Sequence, residues 1–202
     1  MILVFLSILL AYLVGSIPTA YIFGRILKGI DIRDYGSGNV GATNVFRTVG
    51  KTPGIIVLVI DFLKGFLVVT VIPVGLKAVA PDLLMPAYAL ILMGAAVIAG
   101  HIWTVFLGFK GGKGVATTAG VVAGLSPLIF AGCLVIWAVV FAIWKYVSLA
   151  SIVAATSLPA FAVISGKDLT FVIFCAVLCF VGVYGHRDNI KRLICGKEKK
   201  IL

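Results

Sequence analysis

Three polar stretches interrupt an otherwise apolar chain: Gly36-Ser-Gly-Asn-Val-Gly-Ala-Thr-Asn-Val-Phe-Arg47, Gly108-Phe-Lys-Gly-Gly-Lys-Gly-Val-Ala-Thr117 and His186-Arg-Asp-Asn-Ile-Lys-Arg192. In the first, Gly36, Gly38 and Gly41 let the backbone turn tightly and approach a ligand. Ser37, Asn39, Thr43 and Asn44 offer uncharged donors and acceptors, and Arg47 ends the stretch with a cation that stays charged at any working pH. Such a set suits a phosphate cradle. It equally suits a solvated turn between two membrane helices, and alone the stretch does not choose between them.

In the second stretch Gly111, Gly112 and Gly114 surround Lys113 and lead into an apolar run. Glycines opening a helix expose N–H groups toward its positive end, where an anion is favoured. A tight basic loop is the alternative reading. The stretch is not a nucleotide-binding Walker sequence, because Gly114 and not Ser or Thr follows Lys113. In the third, His186 and Asn189 put a titratable ring and an amide within one helical turn. His186 suits a base, an acid or a phosphate donor, or an interfacial hydrogen-bonding role. Ser148 and Ser151, at the start of another apolar run, suit a helix cap, a packing contact or a fourth polar cluster.

Absent signatures narrow the chemistry. The His-x4-Asp pair of many glycerolipid acyltransferases fails at both histidines: Phe106 stands five residues after His101, and Lys191 five after His186. There is no Gly-x-Ser-x-Gly elbow and no paired-aspartate metal site, so neither metal nor cofactor is expected. Cations, hydroxyls, amides and glycines remain. They suit binding two anions and positioning them, with little acid–base machinery of their own.

The elements that must position these groups are membrane helices. The 202 residues are 62% hydrophobic and 12% charged, with a mean hydropathy of +1.21. Soluble domains run at about 45–50% apolar and about 25% charged. The chain reads as an all-α integral membrane protein forming one domain over 1–202. Cys133, Cys175 and Cys179 lie in apolar runs and read as small hydrophobes; with Cys195 they suggest no disulfide framework. The net charge of +10 fits cytoplasmic loops, anionic lipid headgroups and an anionic substrate, and not nucleic acid.

Residues 1–24 read as an uncleaved first span, with Arg25, Lys28, Arg33, Arg47 and Lys51 on its cytoplasmic side. Residues 54–76 return outward, carrying Asp61 and Lys64 on one helical face as a structural ion pair. Residues 77–85 make an outer loop, and 86–107 come back in. The run 115–144 is long for one span and short for two. Two crossings, the first short or broken near Ser126 and Pro127, place every cation except Lys64, Lys77 and Lys167 on the cytoplasmic side. Residues 147–165 and 169–185 complete a seven-crossing bundle with short or broken helices, its N-terminus outside and its C-terminus cytoplasmic. All the polar clusters then share one face, whereas a permeation path for an organic anion needs polar groups at both. No internal repeat of the kind many transporters show is evident.

The three stretches, in this order and with this spacing of apolar runs, resemble the bacterial acyl-phosphate:glycerol-3-phosphate acyltransferases over nearly the whole chain. The resemblance implies transfer of a fatty acyl group from acyl phosphate to the 1-hydroxyl of sn-glycerol 3-phosphate. The products are 1-acyl-glycerol 3-phosphate and phosphate, the first acylation of bacterial phospholipid synthesis. It further implies a monomer in the bacterial inner membrane, among membrane lipids, with its active site on the cytoplasmic side. By position, Arg47, Lys113, His186 and Asn189 carry the catalytic roles. With Ser37 and Ser151 they form the phosphate pocket, chiefly for glycerol 3-phosphate. Gly111, Gly112, Gly114 and neighbouring N–H groups hold the acyl phosphate head, while Gly38, Asn39, Thr43 and Asn44 shape the first loop or touch substrate. Glu198 braces the tail by pairing with a basic residue.

Overall fold

The structure, a computed structural model, describes residues 2–82 and 87–201. Every regular element among them is helical, and they divide into two compact units, Met1–Leu125 and Ser126–Leu202.

The first unit opens with α1 (Ile2–Ser16) and α2 (Thr19–Lys28). The expected first span is therefore broken inside: Pro18 lacks the N–H that would continue the helix. A 3-10 turn (Ile32–Asp34) follows, then α3 (Ala42–Thr48). The second half of the 36–47 stretch is thus helical and not loop. Next come α4 (Lys51–Val79), α5 (Ala87–Ile102), a second 3-10 turn (Val105–Leu107) and α6 (Val115–Leu125). α4 outruns the expected 54–76 at both ends, so Lys77 sits in a helix and not a loop. Residues 83–85 of that expected loop lie outside the described residues.

α1 packs on α5, and α4 packs on α3 and α6. The α4–α6 contact is backbone to backbone. A side chain at Gly65 would collide with the Thr117 carbonyl, and one at Gly120 with the Phe62 carbonyl. A small core of Ala20, Ile32, Val40, Val45 and Val57 joins α2, the first 3-10 turn, α3 and α4. Val40 and Val45 belong to the first polar stretch, so that stretch is anchored from within; a fully buried valine contributes about 1.5–3 kcal/mol. Asp61 and Lys64 are buried and paired at 2.7 Å, and Lys64 Nζ also donates to the Gly15 and Ile17 carbonyls at 3.4 and 3.0 Å. The ammonium thereby caps the broken end of α1, where a cation is favoured.

The second unit contains α7 (Pro127–Trp144), α8 (Val147–Ile164), α9 (Leu169–Gly185) and α10 (Arg187–Ile194). Pro127 opens α7 at a position that needs no N–H, next to the expected break. α8 packs against both α7 and α9. Asp168 caps α9 by accepting from the Phe171 N–H at 2.9 Å, between the expected runs 147–165 and 169–185. α9 and α10 meet at His186 with a bend of 57°.

Among the described residues, five helical stretches are long and apolar enough to cross a bilayer: 2–28, 51–79, 88–107, 127–144 and 147–164. α9 with α10 makes a sixth if the bent pair counts as one span. α6 has 11 residues, about 16 Å of helix against a hydrocarbon core of about 30 Å. The chain is a multi-pass membrane protein; its described residues hold five or six helices long enough to cross, and the expected count of seven requires α6 as a short crossing.

Candidate active site

The first polar stretch is built around Asn44. Its side chain is buried; Oδ1 accepts from the Ser37 N–H at 3.0 Å, and Nδ2 lies 3.0–3.1 Å from the Ile32, Tyr35 and Asn39 carbonyls. Asn44 therefore staples the loop that presents Ser37. Of the two roles expected for it, shaping the loop accounts for its hydrogen bonds. Gly36 adopts a left-handed φ of 63°, and a Cβ there would strike the Asn44 amide oxygen, so the turn and its staple require each other. Ser37 and Gly38 are exposed, Asn39 is half-buried, and Thr43 and Arg47 lie four apart on the accessible side of α3. Upstream, Asp31 accepts from the Arg33 N–H at 3.0 Å and from its guanidinium at 3.0 and 2.7 Å, with Arg25 at 3.5 Å. The Arg33 hydrogen bond holds the Asp31 carboxyl at about 2 against the opposing effect of burial, so this corner stays ionised.

The second stretch folds back on α5. The Gly111 N–H donates to the Ile102 carbonyl at 2.9 Å and the Gly112 N–H to the His101 carbonyl at 3.1 Å. These two N–H groups satisfy the end of a helix, so they are not the anion donors expected of them. Donors for a ligand must come from Lys113 and from the first turn of α6, which follows Gly114. Gly112 is wedged between the His101 ring and the Val40 carbonyl. The first unit thus brings the 36–47 and 108–117 stretches into contact.

In the second unit Glu198 is the organising group. One carboxylate oxygen accepts from Ser148 at 2.8 Å and Asn189 at 2.7 Å, and the other from Arg192 at 2.7 Å. The tail is braced by a basic partner as expected, and Asn189 is held by one amide N–H. Burial alone would raise the Glu198 pKa; the hydrogen bonds from Arg192, Asn189 and Ser148 override it and leave the pKa lowered. The folded-state value thus lies below the unfolded one. The clamp adds stability at pH values above the unfolded pKa and loses it as pH falls through the folded one. Expected outcome: below about pH 4 the thermal midpoint of the wild type falls more steeply than that of Glu198→Gln, and parallel curves would refute the clamp.

His186 is buried at the α9–α10 bend, and its Nδ1 lies 2.8 Å from the Gly182 carbonyl. A carbonyl only accepts, so Nδ1 carries the proton and the neutral ring has its lone pair on Nε2. Ser151 is buried on α8 and accepts from the Trp137 indole N–H at 3.2 Å, which leaves its own O–H to donate elsewhere. Trp137 had no signal in the sequence, being one aromatic in an apolar helix. Ser37, Arg47 and Lys113 belong to the first unit, and Ser151, His186 and Asn189 to the second.

Residues 5–196 match the family model described as glycerol-3-phosphate acyltransferase. The glycerol-3-phosphate acyltransferase of Desulforudis audaxviator is 47% identical over 197 residues, covering 98% of this chain and 95% of the relative. Glycerol-3-phosphate acyltransferase 2 of Moorella thermoacetica is 45% identical over 196 residues, covering 97% and 96%. The crystal structure of PlsY (YgiH), an integral membrane glycerol 3-phosphate acyltransferase, superposes in its glycerol 3-phosphate form with a TM-score of 0.87 at 40% identity, covering 98% of this chain and 94% of that one. Its lysophosphatidic acid form superposes at 0.84.

Proposed function

The chain belongs to the glycerol-3-phosphate acyltransferase family and is an integral membrane acyltransferase of phospholipid synthesis; from that premise we propose that it acylates the 1-hydroxyl of sn-glycerol 3-phosphate and that its donor is a fatty acyl phosphate. The hydroxyl oxygen attacks the acyl carbonyl, the bond from carbonyl carbon to phosphate oxygen breaks, and 1-acyl-glycerol 3-phosphate and inorganic phosphate leave. An acyl phosphate is an activated mixed anhydride, so the protein need not form a covalent intermediate. Its work is to hold two anions together against their repulsion and to stabilise the oxyanion and the departing phosphate. Arg47 and Lys113 supply charge, and Ser37, Ser151, His186 and Asn189 supply directional contacts to glycerol 3-phosphate. The opening turn of α6 suits the donor's head, whose tail stays in the bilayer.

The observation that carries this reading is the wedge of Gly112 against the Val40 carbonyl. It joins the Arg47-bearing stretch to the Lys113-bearing stretch in one body, which supports a shared anion site served by both cations. The hydroxyl proton passes to an oxygen of the bound phosphate in this reading, with His186 Nδ1 engaged by the Gly182 carbonyl. We place the site on the cytoplasmic side of the bacterial inner membrane, in a monomer with the N-terminus outside, the C-terminus inside and α6 as a short seventh crossing.

Purified protein given acyl phosphate and glycerol 3-phosphate should yield lysophosphatidic acid and phosphate. Product from an acyl thioester alone would overturn the donor, and hydrolysis of either phosphate without product would overturn the transfer. Arg47→Ala and Lys113→Ala should each lose a charge-assisted phosphate contact worth about 1.5–3 kcal/mol, about 10- to 100-fold in kcat/KM. Wild-type kinetics in both would remove them from the site.

A further inference from the structure

We propose that His101, packed beside Asp61, is a positioning residue that sets the glycine turn ahead of α6 and through it the binding of the acyl donor. The inference rests on the reading that the opening turn of α6, into which this glycine turn leads, receives the donor's head. His101 and Asp61 lie outside the three polar stretches; Asp61 is buried and the His101 side chain is 9% exposed, in helices long and apolar enough to cross the membrane, where titratable groups are costly and need a reason to be there.

Two contacts of His101 converge on one turn. Its carbonyl takes the Gly112 N–H at 3.1 Å, while the next carbonyl, of Ile102, takes the Gly111 N–H at 2.9 Å. Its ring nitrogen Nε2 occupies the space that a side chain at position 112 would need, with the Val40 carbonyl on the same space. Main chain and side chain of one residue therefore fix Gly112 from two directions. On its other side the ring packs beside α4: Nδ1 lies 3.8 Å from Asp61 Oδ1, beyond hydrogen-bond length, and that oxygen is paired with Lys64 Nζ at 2.7 Å. With Nδ1 directed at the carboxylate, Nε2 is directed at the turn. A ring turned the other way would put a C–H beside the Asp61 carboxylate and reshape the surface on which Gly112 rests. Nε2 faces main chain, so the role is to place the turn and not to move a proton.

The test uses full-length protein in detergent or proteoliposomes, comparing His101→Phe, His101→Gln and Gly112→Ala with wild type. His101→Phe keeps a ring and removes both nitrogens; His101→Gln keeps polarity and removes the ring; Gly112→Ala pushes on the ring from the other side. In each, KM for the acyl donor should rise about 10-fold or more, because small misplacements at a binding turn have large effects. KM for glycerol 3-phosphate should change less than about twofold. Equal rises in both KM values, or a lowered thermal midpoint with both unchanged, would overturn the inference. If His101→Phe does not fold, Gly112→Ala and His101→Gln decide it. The donor is whichever one the wild type uses. Failure of the acyl phosphate assignment is seen in the wild type alone, and the KM split is then read with the donor that works.

Discussion

Asp61→Ala is expected to destabilise the protein by about 3–5 kcal/mol, the range for removing one partner of a buried ion pair. Asp61 is 2% exposed and Lys64 7% exposed, so the ammonium left behind is an uncompensated buried charge. It would keep only the Gly15 and Ile17 carbonyls as partners. Removing both charges is expected to be milder: in Asp61→Leu with Lys64→Met no charge is stranded, and the remaining loss is the two carbonyls that Lys64 had capped. Thermal unfolding in detergent should rank wild type above the double variant and the double variant above Asp61→Ala. A single variant as stable as wild type would show that water reaches the pair.

Asn44→Ala is the second large effect, and it should strike stability and activity together. Four main-chain groups lose a partner: the Ser37 N–H and the carbonyls of Ile32, Tyr35 and Asn39. Each group left buried and unpaired costs about 1–3 kcal/mol, less where water enters. The loop around Ser37 should loosen, with faster amide exchange over residues 32–41 and at least a 10-fold fall in kcat/KM, equivalent to about 1.4 kcal/mol. Asn44→Asp separates the staple from a substrate contact. A carboxylate still accepts from the Ser37 N–H but faces three carbonyls without a hydrogen to offer, so it should be no better than alanine. An activity loss with unchanged amide exchange would make Asn44 a ligand instead.

Much of the fold was legible because a bilayer demands long apolar runs, and runs such as 54–76 and 147–165 announce themselves by composition. Less legible was anything decided by hydrogen bonding inside those runs. Pro18 breaks the first span, yet a proline in a membrane helix is tolerated when neighbours re-satisfy the backbone, and the neighbour here is Lys64, distant in sequence. α3 escaped because its Thr and Asn content, following Gly41, reads as loop, while the buried Val45 that holds it helical acts through tertiary contact. At the site, residue types pointed to polar work without dividing it. Asn44 and Asn39 look alike in sequence, and only the fold makes one of them the staple. Gly111 and Gly112 look like anion donors until the end of α5 takes their N–H groups. His101 carried the one available signal, a titratable ring in an apolar helix, but its partner Asp61 is 40 residues away on another helix.

The capping of α1 by Lys64 also bears on biogenesis. The first helix emerges from the ribosome with carbonyls at Gly15 and Ile17 whose partner is synthesised 47 residues after Ile17. Exposed to lipid tails, those carbonyls would each be several kcal/mol unfavourable. The break in the first span must therefore stay in a hydrated or protein-lined environment of the insertion machinery until α4 arrives beside it. The lysine inside α4 becomes tolerable in hydrocarbon only in the same event, when it meets Asp61 and the waiting carbonyls together. The first and fourth helices thus enter the bilayer as a coupled pair, although each taken alone reads as an independent hydrophobic segment.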